Sequence, residues 1–327
     1  MKCLVTGATG FVGANLVRQL ITDGHQVTAT GAPGSSTRWI DGLPLDIRLA
    51  DLTAPGAAKD LVHGHQWVFH VAGDTSTWSG LAERRRKVNV DAAAAMADAA
   101  LDNGVTRFLH TSTMDVLGFN SDGRPVDETG GEQPFTGIGY DYADTKLAGE
   151  TAVRQRIHAG LDAVVVYPGF MIGPFDHTLQ IGRVIRAMQQ GKRYPCPPGT
   201  SSWCDVRSVA RGMISAIEHG TTGHGYLLAG ENRSYLDVFT RISQLVRAKH
   251  PPIKMNRSLI LTYGAVTEWA ARITNKAPEV DRALAIYVCS PQATSSTKAQ
   301  QELGYDHGDI DIAILDAARW YDENMPA

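Results

Sequence analysis

The sequence lacks what secretion, structural metal binding and nucleic-acid binding usually require. Its four cysteines, Cys3, Cys196, Cys204 and Cys289, contain no close pair, so no zinc-type ligand set is expected and reduced thiols in the cytoplasm fit best. Apolar, strand-like residues begin at Lys2, which leaves no room for a charged leader and an apolar signal stretch. No apolar run reaches the length of a bilayer. Ser258 to Ile273 comes nearest, but Glu268 and Arg272 interrupt it, and a core or lid helix is expected there rather than a peripheral membrane contact. An excess of one charge is missing too. Thirty-one basic against 34 acidic residues leave a net charge of -3, with no global field for nucleic acid or an anionic surface. The one basic run, Arg84-Arg85-Arg86-Lys87, leads into the Ala-rich stretch Asn89 to Ala100 and is expected to be a solvated helix face. No internal repeat, low-complexity tract or obvious flexible linker is present. Small-molecule chemistry is the class that remains.

What is present is an alternation. Strand-like runs at Lys2 to Val5, Gln26 to Thr30, Asp46 to Leu49, Trp67 to Val71, Arg107 to His110 and Asp162 to Tyr167 are separated by helix-like stretches at Val12 to Asp23, Ala57 to His63, Arg84 to Asp102 and Tyr142 to His158. That order predicts an α/β fold, a doubly wound parallel sheet of the Rossmann kind with helices on both faces. After Pro168 the rhythm changes to Gly/Pro-rich loops and scattered helices at Leu179 to Gln190, Leu236 to Ala248, Ser258 to Ile273 and Ile310 to Asn324. Residues 1–170 are therefore assigned to a dinucleotide-binding domain. Residues 171–327 are assigned mainly to a smaller substrate-binding part, with some segments returning to the first.

Between the first strand and the first helix lies Thr6-Gly7-Ala8-Thr9-Gly10-Phe11-Val12-Gly13. Gly7 permits a tight turn, Gly10 lets the backbone approach a pyrophosphate, and Gly13 allows close helix-to-strand packing, while the helix start offers N–H groups to an anion. Discrimination between NAD and NADP depends on the residue after the second strand. That residue is Gly31, followed by Ala32, so no acid is present to take the ribose hydroxyls. Ser35, Ser36, Thr37 and Arg38 offer hydroxyls and a guanidinium suited to a phosphate. NADP(H) is favoured over NAD(H), although Arg38 could equally be a surface loop residue. Asp51-Leu52 could meet the adenine or cap a helix. His70-Val71-Ala72-Gly73 ends the fourth strand in small residues, and His70 reads as a core histidine.

Further along, Tyr142-Ala143-Asp144-Thr145-Lys146 puts a phenol and an ammonium on one helix face. A free phenol with a pKa of about 10 is scarcely ionised at neutral pH. The ammonium one turn away and an oxidised nicotinamide would favour the phenolate by charge attraction. Thr111-Ser112-Thr113, at the carboxyl end of a strand, supplies hydroxyl partners.

With these residues the chain resembles the extended short-chain dehydrogenase/reductase family, over Thr6 to Gly13, Asp51-Leu52, His70 to Gly73, Asn89-Val90, Thr111 to Gly118, Tyr142 to Lys146, Tyr167-Pro168-Gly169 and Asp205 to Ala210, and weakly to Trp320. The resemblance implies a catalytic hydroxyl at Thr113, with Ser112 as the alternative one residue away, a proton donor at Tyr142 and a tuning, ribose-binding lysine at Lys146. It implies Asp51 and Leu52 at the adenine, Ala72 and Gly73 at the middle of the cofactor, Pro168 and Met171 beside the nicotinamide, and Asn89 as a brace. It also implies a homodimer through the helices Arg84 to Asp102 and Tyr142 to His158.

Within the family, sugar-nucleotide dehydratases resemble Thr-Asp-Glu where this chain has Thr113-Met114-Asp115, and Met114 cannot act as the elimination acid. Epimerases commonly keep an acid where Gly31 stands. Dihydroflavonol-reductase-like and 3β-hydroxysteroid-dehydrogenase-like members look most similar, through Thr111 to Gly118, Tyr167 to Pro174 and the late Thr297-Lys298-Ala299 and Glu302 to Tyr305. The expectation is an NADP-dependent ketone/alcohol oxidoreductase, with Trp78, Phe135, Phe170 and Trp203 lining an apolar pocket for a small carbonyl or alcohol. An NAD-dependent nucleotide-sugar epimerase is the alternative, and a non-catalytic dinucleotide sensor the remaining one.

Overall fold

The computed structural model describes residues 1–137, 139–274, 276–278 and 280–325. Its strands are β1 (Lys2–Thr6), β2 (Gln26–Thr30), β3 (Asp46–Ile47), β4 (Trp67–His70), β5 (Arg107–Thr111), β6 (Ala163–Pro168), β7 (Phe170–Ile172), β8 (Pro195–Cys196), β9 (Thr200–Asp205), β10 (Gly225–Leu228), β11 (Glu231–Ser234) and β12 (Ile253–Lys254). Seven of them form one sheet in the order β10-β6-β5-β4-β1-β2-β3, and every pairing in it is parallel. The apolar runs are continuous because both faces of such a sheet are covered. On one face α1 (Phe11–Thr22), α7 (Val206–His219) and α11 (Thr297–Leu303) pack with Val5, Leu16, Leu20, Met213 and Tyr226. On the other, α2 (Ala57–Val62), α4 (Ala92–Asp102) and α5 (Asp141–His158) pack with Val68, Met96, Phe108 and Val153. The order reverses between β1 and β4, which opens a crevice at their carboxyl ends.

Two expectations change. The stretch from Arg84 to Asp102 is not one helix: α3 (Ala82–Arg86) runs into a π-helical turn, Lys87–Asp91, before α4. The basic run is not wholly solvated, because Arg85 is fully buried. In the Ala-rich stretch, Ala93, Ala97 and Ala100 are buried in the cluster that α4 shares with α5.

A second cluster gathers α6 (Gly182–Gln189), α8 (Tyr235–Leu245) and α12 (Ile310–Asn324) around Trp203, Tyr235 and Trp320. It is fastened to the main sheet by Asp205, whose side chain accepts from Arg207 N at 2.8 Å, capping α7, while Arg207 reaches Asp316 of α12 at 2.7 Å. Outside it, α9 (Arg257–Thr274) packs on α10 (Arg282–Val288). Only Gly264 and Ala271 of α9 are buried, so of the core or lid helix expected here the core reading does not hold. The four cysteines are buried free thiols.

Candidate active site

The cofactor end is made of backbone. Gly7 turns with φ +68, and its amide neighbour Gly10 donates to the Gly7 carbonyl at 3.0 Å. A β-carbon on Gly13 would fall on the Gly7 carbonyl and lie 2.6 Å from Ala8 Cα, and one on Gly7 would lie 2.8 Å from Ala72 Cα. Neither position tolerates a side chain without moving β1, α1 or the end of β4. Helix α1 starts at Phe11 with no side-chain cap on its first N–H groups, leaving Gly10, Phe11 and Val12 at a free helix N-terminus suited to an anion. Thr6 Oγ1 accepts from Val71 N and Ala72 N at 3.1 Å and pairs with His70 Nδ1 at 2.9 Å. That bond ties β1 to the Ala72-Gly73 turn. Burial lowers the His70 pKa to about 3, with the nearby Lys146 acting in the same sense, so His70 is a neutral core group.

At the end of β2, a β-carbon on Gly31 would lie 2.7 Å from Thr9 Oγ1. Thr9 thus occupies the place an acidic side chain would need. Arg38 is exposed, with its guanidinium 4.5 Å from the Trp39 ring centre. Asp51 is exposed, and one of its oxygens accepts from Thr53 N at 2.9 Å and Thr53 Oγ1 at 2.7 Å. These bonds hold its carboxyl below the usual range. It closes a local turn and keeps a second oxygen free. Leu52 beside it is half-buried. This set of a bare helix start and a glycine floor fits the pyrophosphate of a dinucleotide.

The other end is made of side chains. Lys146 is buried and donates to the Thr111 carbonyl at 2.5 Å. Its Nζ lies 3.8 Å from where a β-carbon on Gly73 would be, directly beneath the middle of the crevice. Burial lowers its pKa to about 8, against the opposing charge of Glu150. The two candidate hydroxyls part company here. Ser112 donates to Glu150 Oε2 at 2.8 Å and is occupied, whereas the Thr113 hydroxyl acts on the Tyr142 phenol, favouring its ionised form. Thr113 Oγ1 also accepts from Asp115 N at 3.3 Å.

The expected activation of Tyr142 by Lys146 is not found in the protein alone. Burial, then the charge of Asp115, push the phenol above its ordinary value, and the Thr113 hydroxyl opposes this. The ammonium is turned to the Thr111 carbonyl instead. Tyr142 is therefore held in its proton-bearing form.

The roles of Asp115 and Arg85 at this end escaped sequence reading, whereas Asn89 was expected as a brace. Asp115 is 5% exposed, and its two oxygens accept from Tyr287 at 3.0 Å and Tyr140 at 3.3 Å. Burial raises its carboxyl to about 6, with those hydroxyls opposing. Arg85 donates to Asp141 at 2.8 Å, Ser76 O at 2.8 Å and Trp78 O at 3.2 Å, clamping the first residue of α5 beside Tyr142. Asn89, projecting from the π-turn, receives Asp74 N at 2.8 Å and donates to Thr145 Oγ1 at 3.0 Å. A π-turn that redirects one side chain is a recognisable functional device. The signals were a lone carboxylate after Thr113 and one arginine in a basic run, neither distinctive by itself.

Of the expected pocket aromatics, Phe135 and Trp203 are corrected to core. Phe135 packs 5.2 Å from Tyr287 behind the Asp115 cluster. Trp203 is fully buried against Phe170 at 4.7 Å and donates to Arg233 O. Phe170 is half-buried at the junction of three apolar clusters, Trp78 is half-buried with its carbonyl on Arg85, Pro168 is buried at the end of β6, and Met171 is half-buried against the main core.

The NAD dependent epimerase/dehydratase family model matches residues 3–229. The chain is 30% identical to a putative dihydroflavonol 4-reductase of Synechocystis sp., over 97% of this chain and 93% of that protein. It is 31% identical to a 4-hydroxy-2-methyl-3-oxo-4-farnesyl-3,4-dihydroquinoline-1-oxide ketoreductase of Stigmatella aurantiaca, over 93% and 92%. The crystal structure of gox2253 superposes with a TM-score of 0.86 at 32% identity, covering 99% of this chain and 98% of that one. A family match across the whole parallel sheet, joined to reductase relatives aligned nearly end to end, places this chain in the NAD dependent epimerase/dehydratase family, the extended short-chain dehydrogenases/reductases, as an oxidoreductase.

Proposed function

We propose that the protein is an NADP-dependent reductase of ketones on small apolar molecules, with Tyr142 as the proton donor. The observation that carries this reading is the Tyr142 phenol, half-buried and kept protonated, set one helical turn from the buried Lys146 and near the Thr113 hydroxyl at the strand-end crevice. When bound, the dinucleotide supplies the hydride for the carbonyl carbon. Thr113 and Tyr142 hold the carbonyl oxygen by hydrogen bonds, and the Tyr142 proton passes to that oxygen as negative charge develops there. The buried Lys146 ammonium, anchored on the Thr111 carbonyl, lends positive charge to the site and a donor to the ribose. The glycine floor and the α1 start take the pyrophosphate.

The NADP preference rests on Thr9 filling the space at Gly31 and on Arg38 standing free for a phosphate. Met114, buried after the catalytic hydroxyl, has no proton to give, which argues against elimination chemistry. The reductase names of the relatives support a carbonyl substrate.

The test is a panel of apolar ketones and nucleotide-sugars with NADPH and with NADH, followed by loss of the reduced cofactor's absorbance. Turnover of ketones with NADPH is expected. Turnover confined to nucleotide-sugars with NAD, or tight NADPH binding with no turnover on any carbonyl, would overturn the reading.

A further inference from the structure

Helix α9 presents to solvent a face without a charged side chain. At 100° per residue, Leu259, Tyr263, Val266, Trp269 and Ile273 fall in one stripe opposite the buried Gly264 and Ala271. They are 54%, 47%, 56%, 66% and 65% exposed. Eighteen residues give a stripe about 27 Å long, an unusually large apolar surface to leave in water.

Its border is cationic. A groove of about 650 Å³ is lined by Val266 and Trp269 of the stripe, by Ile286 of α10, and by Arg257 and Arg282. Arg257 donates to the Cys289 carbonyl at 3.4 Å. Neither guanidinium has a carboxylate partner among the described residues, whereas Arg84, Arg107, Arg156, Arg207 and Arg241 each lie on one. Glu268, the acid of α9, is taken by Arg272 at 2.6 Å.

We infer that α9, with Arg257 and Arg282, is a docking face for a bilayer surface bearing anionic headgroups. The stripe enters the boundary between headgroups and chains, and the two guanidiniums take phosphates. No helix among the described residues is long and apolar enough to cross a membrane, so attachment is by one face only. A second copy of the chain fits less well. A two-fold contact needs a self-complementary patch, and this one offers cations with no exposed carboxylate free to meet them among the described residues. The position has a use. Helix α10, on which α9 rests, carries Tyr287, whose hydroxyl binds Asp115 beside Tyr142. If the substrate is the apolar ketone proposed above, this face draws it from the membrane.

The test is sedimentation with phosphatidylcholine vesicles, with and without phosphatidylglycerol, which needs no turnover and so stands apart from the reductase assay. The wild type is expected to sediment with the anionic vesicles and to be released as salt rises. Trp269→Glu and Val266→Glu should each weaken this at least tenfold while NADPH binding is kept. The double variant Arg257→Ala/Arg282→Ala should remove the preference for anionic vesicles. Brominated acyl chains should quench the wild type more than Trp269→Phe, a variant that keeps the apolar face. The proposal is overturned if the wild type ignores both vesicle types, if Trp269→Glu binds as tightly as wild type, or if the face proves to hold two copies together in solution and binds no lipid.

Discussion

The two ends of the crevice are built on opposite plans. At the cofactor end the working parts are backbone: the Gly7 turn, the uncapped start of α1, and the floors at Gly7 and Gly13 where no side chain fits. At the catalytic end they are side chains brought from distant segments, Thr113, Asp115, Tyr142, Lys146 and Tyr287, with Arg85 and Asn89 bracing α5 from the π-turn region. The first plan is local and rigid. The second depends on packing, and its charges are interdependent, since Asp115 and burial oppose ionisation of Tyr142.

If that contrast holds, the largest effect belongs to the backbone end. Gly13→Val forces a side chain into the Gly7 carbonyl and should cost about 3 kcal/mol or more, with NADPH affinity falling over a hundredfold. Thermal denaturation and a fluorescence titration check both, and retained affinity would show that the turn is less rigid than described.

At the side-chain end, Asp115→Asn tests the coupled charges. A carboxyl raised from 3.8 to about 6 keeps its proton in the folded state where the unfolded chain has lost it, so stability falls as pH rises through that window. The gap is worth about 3 kcal/mol. The stability of the wild type relative to Asp115→Asn should therefore drop by up to that amount between pH 4 and pH 7 in urea titrations. Removing the carboxylate also removes a charge that opposes phenolate, so alcohol oxidation in the variant should reach its plateau at lower pH. A pH-independent difference would mean that Asp115 is not buried as an acid.

A smaller loss is expected from Arg85→Met, about 2 kcal/mol, because the Ser76 and Trp78 carbonyls lose their donor. Turnover should fall more than cofactor affinity, since the clamp acts on the start of α5. The smallest effect is that of Arg38→Ala, about tenfold in the NADPH-to-NADH affinity ratio, the value of one charge-assisted bond. Stability should not change, as Arg38 is exposed.

The same contrast explains what the sequence made legible. Strand and helix order up to Pro168 could be read because apolar runs and glycine turns are local signals, and β2 and α12 fall on the residues expected. The break of one helix into α3, a π-turn and α4 could not, because what decides it is Asn89 reaching Asp74 and Thr145. The burial of Arg85 depends on Asp141, 56 residues away. The Asp115 carboxylate finds Tyr287 across 172 residues, a separation at which no spacing rule operates. At α9 the core half of the core-or-lid expectation failed, because apolar composition does not say which side of a helix faces water.

The most direct test of the account is Tyr142→Phe, assayed for ketone reduction and for NADPH binding on the same preparation. Loss of the proton donor should lower turnover about a thousandfold, with cofactor affinity unchanged within twofold. Turnover near the wild-type rate in a variant that binds NADPH normally would contradict the assignment of Tyr142.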